Sequence, residues 1–93
     1  MAELLERGEV EQRVDELDGW DLEGHAIVKQ FKRGDFSGAV ALVNAIEPVA
    51  NDLNHHPDLS ISWETVTVMI TTHSAGGLTA ADFELATRID ALA

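Results

Sequence analysis

Thr65-Val66-Thr67-Val68-Met69-Ile70-Thr71-Thr72, closed by His73, is the stretch on which the fold turns. Its alternation puts Val66, Val68 and Ile70 on one side of a strand, with Thr67, Met69, Thr71 and His73 on the other. The valine side is assigned to the core, so His73 points away from it. Immediately upstream, Leu59 to Trp63 reads as a partner strand, with the break at or near Glu64. Working back, Trp20 to Glu23 and Ala26 to Phe31 are short runs either side of Gly24, which fits a hairpin.

Between the two strand pairs the period changes. Phe36, Ala39, Val40, Val43, Ile46, Ala50 and Leu53 form a helical stripe, with Asp35 or Ser37 as its cap. Pro48 interrupts it, removing one backbone hydrogen bond at a cost of about 3 kcal/mol if uncompensated. The expectation is a kink there or an early helix end. Val10, Val14 and Leu17 predict a first helix of about three turns after Gly8, ended by Asp18-Gly19. A last helix is predicted from Thr79 to about Leu92, with Leu78 stapled on Phe83. The order α-β-β-α-β-β-α predicts an α+β fold: a four-stranded antiparallel sheet with three helices on one face. Its other face must then meet ligand, solvent or another subunit. At 93 residues, one domain spanning 1–93 is expected.

Composition excludes several classes of function. Seventeen acidic residues against six basic give a formal charge of -11, which repels phosphate backbones and anionic lipid surfaces. No direct nucleic-acid partner and no membrane association are expected. Cysteine is absent, which removes disulfides, thiolate catalysis and Cys-based zinc sites. The first ten residues lack an apolar core of signal-peptide length, and no run approaches the roughly twenty apolar residues of a membrane span. A soluble, cytoplasmic protein is expected. A domain of this size buries a modest share of its surface, which favours association with copies of itself.

Three of the four histidines, His55, His56 and His73, flank the Leu59–Trp63 and Thr65–Thr72 strands. Pro57 rigidifies the first two just past a helix end, and His73 ends a strand; both segments can reach one rim of the sheet. Imidazole, with an ordinary pKa of about 6.5, can give a proton at one position and take one at another near neutral pH. Elimination of water needs that pair of transfers, and neither a metal nor a covalent nucleophile. The alternatives are solvated loop histidines and a three-histidine zinc site. His25, beside Gly24 in a predicted turn, reads as a solvated turn residue. Asp82 has two readings, as the acidic member of a Thr79-x-x-Asp82 capping box and as the carboxylate that orients His73. Trp63 reads as core or interface, or as a stacking platform for a ligand.

Asn54-His55-His56-Pro57, Trp63, His73 and Asp82 together resemble the signature of the pterin-4a-carbinolamine dehydratases. Gly19-Trp20, Ile27-x-Lys29-x-Phe31, Asp35-Phe36 and Thr72-His73-x-Ala75-Gly76-Gly77-Leu78-Thr79 extend the similarity from about residue 5 onward. The resemblance implies a homodimer or homotetramer that dehydrates 4a-hydroxytetrahydrobiopterin to quinonoid dihydrobiopterin without metal or organic cofactor. It recycles the pterin spent by aromatic amino acid hydroxylases. It implies His55 and His73 as the acid/base pair, His56 as a pterin-holding residue, Asp82 as the partner of His73, and Thr72 as a backbone contact to the pterin. The family usually carries a charged residue, often Glu, where this sequence has Asn51. An amide there still hydrogen-bonds a polar ring edge, but without charge. The resemblance also admits a non-catalytic role on the same fold, in dimerisation or enzyme assembly.

Overall fold

The computed structural model describes residues 3–93. The elements run α1 (Arg7–Glu16), β1 (Asp21–Glu23), β2 (Ala26–Lys32), α2 (Phe36–Leu53), β3 (Asp58–Ser62), β4 (Thr65–Ile70), a 3-10 turn (His73–Ala75) and α3 (Ala80–Asp90). The four strands form one antiparallel sheet in the order β1-β2-β4-β3. This is the α+β arrangement expected from the alternating periods.

The pairing register explains the core. Ile27 opposes Ile70, Lys29 opposes Val68 and Phe31 opposes Val66, so these side chains share a face. Val10 of α1, Ala39, Leu42 and Ile46 of α2, and Phe83, Leu85 and Ile89 of α3 cover that face. On the opposite face Gln30, Thr67 and Ser60 lie across three strands as a polar row beside half-exposed Met69.

Lys29 is the one charged side chain on the core face of the central strands. Its ammonium is held 2.9 Å from Asp90 and 2.7 Å from the carbonyl of Asp18, and lies over the Phe31 ring. Trp20 Nε1–H donates to the same Asp90 carboxylate, tying the end of α3 to the start of the sheet. Removing Asp90 strands a half-buried cation and an indole N–H together. Asp90→Ala is therefore expected to cost about 2–3 kcal/mol, read by thermal or urea unfolding. Lys29→Met, which removes the cation itself, should cost less.

Two local expectations are corrected. Of the two outcomes expected at Pro48, the early helix end does not occur: α2 continues to Leu53, because Ala39, Leu42, Ile46 and Ala50 on both sides of the proline are buried along one stripe. Trp63 is not in a strand. With Ser62 paired to Thr65, Trp63 and Glu64 form the two-residue tip of the β3–β4 hairpin. Trp63 takes the left-handed backbone (φ 51) that such tight turns require, and its side chain is 67% exposed, so it is not core.

Candidate active site

The site begins at the end of α2. Asn54 adopts a left-handed conformation (φ 51), and the N–H of His55 returns to the carbonyl of Ala50. This cap reverses the chain and sends the two histidines in different directions. His55 enters the protein, where its side chain is 15% exposed, whereas His56 folds back on the last turn of α2.

Asp82 sits at the third position of α3 and is wholly buried. One of its oxygens, Oδ2, accepts from the backbone N–H of Thr79 at 2.7 Å and from the Thr72 hydroxyl at 2.8 Å. Thr72 thereby spends its only proton on Asp82, so the Thr79 hydroxyl, 3.0 Å away, donates to Thr72. The other oxygen, Oδ1, lies 2.5 Å from His55 Nε2. A carboxylate can only accept, so the His55 proton is on Nε2 and Nδ1 is the nitrogen left without a partner among the described residues. No buried side-chain polar atom among the described residues lacks a partner.

Both readings of Asp82 therefore meet in one side chain, since the oxygen that caps α3 leaves the other to orient a histidine. That histidine is His55, not His73. The reason is topological: β4 ends at Ile70, and Thr72 rather than His73 points its side chain at Asp82. His73 opens the 3-10 turn, which closes through Gly76 at φ 77 and an isolated bridge between Thr72 and Gly77. The same turn engages the backbone of Thr72. Its N–H donates to the Gly77 carbonyl and its carbonyl accepts from Ala75 and Gly76, so the Thr72 backbone is already engaged and its hydroxyl serves Asp82.

His56 Nε2–H donates to the Asn51 side-chain carbonyl at 2.9 Å. Asn51 and His56 line a cleft of about 360 Å³ between α2 and β3. His73 is exposed and lines a different cleft, of about 300 Å³, with His25, Thr71 and Gly77. Chain geometry thus couples His55, Asp82 and Thr72 directly, places His73 one residue beyond Thr72, and puts His56 with Asn51. Sequence spacing marked His55, His56, His73, Thr79 and Asp82, and the family resemblance Asn51 and Thr72, but neither gave these pairings; the contact of the Thr79 hydroxyl with Thr72 depends on the turn that brings the two together. Asp52 is turned away from this group and pairs with Arg88 at 2.9 Å.

The family model for pterin 4 alpha carbinolamine dehydratase matches residues 3–92, and the chain belongs to that family. A relative from Roseiflexus sp. (strain RS-1), described as a candidate pterin-4-alpha-carbinolamine dehydratase, is 46% identical over 90 residues, covering 97% of each chain. One from Sulfurisphaera tokodaii with the same description is 44% identical over 92 residues, covering 99% of this chain and 98% of its own. Among solved structures, a transcriptional coactivator/pterin dehydratase from Brucella melitensis superposes with a TM-score of 0.90 at 34% identity, covering 96% of this chain and 97% of that one. A pterin dehydratase-like protein identified as a RuBisCO assembly factor shares the fold at a TM-score of 0.63 and 20% identity, over 78% of this chain and 84% of that one.

Proposed function

We propose that this chain dehydrates 4a-hydroxytetrahydrobiopterin to quinonoid dihydrobiopterin by histidine acid/base catalysis, in cytoplasmic recycling of the pterin spent by aromatic hydroxylases. In this step the C4a–O bond breaks and the hydroxyl leaves as water with a proton supplied by an acid. The lone pair of the adjacent ring nitrogen forms the new C=N bond, and that nitrogen's proton passes to a base. His55 and His73 are assigned as the two proton carriers, and His56 with Asn51 as the groups that hold the ring.

The observation that carries this reading is the anchoring of His55. Asp82 fixes which of its nitrogens bears a proton and opposes the charge that forms when the other nitrogen takes one up. Three donors on the carboxylate hold that orientation before substrate arrives. A buried capping aspartate needs some donor on its second oxygen, and a hydroxyl or amide would serve for structure; an imidazole there adds a group that can exchange a proton. Purified, chelator-treated protein should accelerate loss of water from 4a-hydroxytetrahydropterin, followed by absorbance; a rate equal to the spontaneous one would move the assignment to the binding or assembly role. We also propose a homodimer or homotetramer, supported by the exposure of Phe36, Trp63 and Met69 and measured by light scattering.

A further inference from the structure

We propose that Glu47 is a specificity-determining residue for the substrate's 2-amino-4-oxopyrimidine ring, in an assignment that rests on the dehydratase reading above. Asn44, Glu47 and Asn51 recur at i, i+3 and i+7 on α2 and line the same cleft as His56, with Val43 and Leu59 as its apolar part. Glu47 is the only carboxylate on that cleft, and it has no hydrogen-bond or ion-pair partner among the described residues.

The polar groups fall in an order that matches one edge of the ring. That edge presents the 2-amino group and N3–H as adjacent donors, followed by the O4 acceptor, and C4a is bonded to the carbon bearing O4. A carboxylate receives the two donors as parallel hydrogen bonds. One helical turn further on, about 5.4 Å along the axis, Asn51 has its carbonyl occupied by His56 and its amide N–H groups left to donate to O4. Glu47 and Asn51 thus read 2-amino with N3–H, then O4, and the C4a end lies toward the end of α2, from which His55 and His56 follow. Asn44 extends the amide row, and Val43 and Leu59 meet the ring face.

Equilibrium binding of oxidised pterin and of lumazine, which carries a 2-oxo group in place of the 2-amino group, tests this by fluorescence titration beside steady-state dehydration. Wild type should prefer pterin. Glu47→Gln should weaken pterin binding and raise KM by about tenfold, the scale of one charge-assisted pair, with kcat within about twofold, and should abolish the preference over lumazine. Asp52→Asn, which removes a carboxylate from the same helix but outside the cleft, should leave all of these unchanged. Unchanged pterin affinity in Glu47→Gln, or an equal loss for both ligands, overturns the assignment; if wild type still dehydrates the substrate, the dehydratase reading stands without it. Failure of wild type to bind pterin overturns the assignment, and failure also to dehydrate the substrate removes both.

Discussion

His55→Ala and His73→Ala are each expected to lower kcat for dehydration by about 10²-fold or more, the usual contribution of a positioned acid or base. The two differ in what else they disturb. His73 is exposed in a 3-10 turn, so its loss should leave unfolding unchanged within about 0.5 kcal/mol, as for surface substitutions in general. His55 is the donor to a buried carboxylate, so its removal should also lower stability, by about 1–3 kcal/mol. An equal activity loss with unequal stability loss separates chemistry from folding. If His73→Ala retains full activity, the acid/base pair has been assigned wrongly.

Asp82 is expected to give the largest combined effect. In Asp82→Ala the Thr79 N–H, the Thr72 hydroxyl and the His55 ring all lose their acceptor. A loss of about 3–5 kcal/mol follows from stranding buried donors, which for a chain of this length lowers Tm by at least roughly 12 °C. Asp82→Asn discriminates more finely. Its single carbonyl can still accept from Thr72 and Thr79, so α3 stays capped and most of the stability should remain. The amide nitrogen then faces His55 Nε2, which must become an acceptor, and the ring proton moves to Nδ1. The nitrogen that was free to take a proton no longer is, so kcat should fall by about 10²-fold while unfolding shifts little. Comparable losses of activity and stability in Asp82→Asn would instead assign Asp82 to folding alone.

Much of this architecture was readable along the chain, for identifiable reasons. The valine alternation in β4 and the apolar stripe of α2 are strong periodic signals, and they locate the sheet and the helix across it. The early helix end offered for Pro48 did not occur because the local cost of proline was outweighed by tertiary burial on both sides of it. Trp63 misled because an aromatic residue beside a strand looks like a strand residue, whereas the two-residue connection between Ser62 and Thr65 forces it into the turn. At the site, residue types and spacing pointed to the histidines and Asp82 but not to which of them meet. That pairing depends on the return of Thr72 through Gly76 and on the left-handed cap at Asn54, both tertiary consequences of single φ angles.

Removal of water from a pterin carbinolamine by the Asp82-anchored His55 together with His73 is open to direct test. The most direct measurement is the dehydration rate of wild type beside the His55→Ala, His73→Ala double variant, with the spontaneous rate subtracted and the fold of both checked by circular dichroism. The account predicts strong acceleration by wild type and a folded double variant whose rate falls to near the spontaneous one. A folded double variant that accelerates the reaction as well as wild type would contradict it.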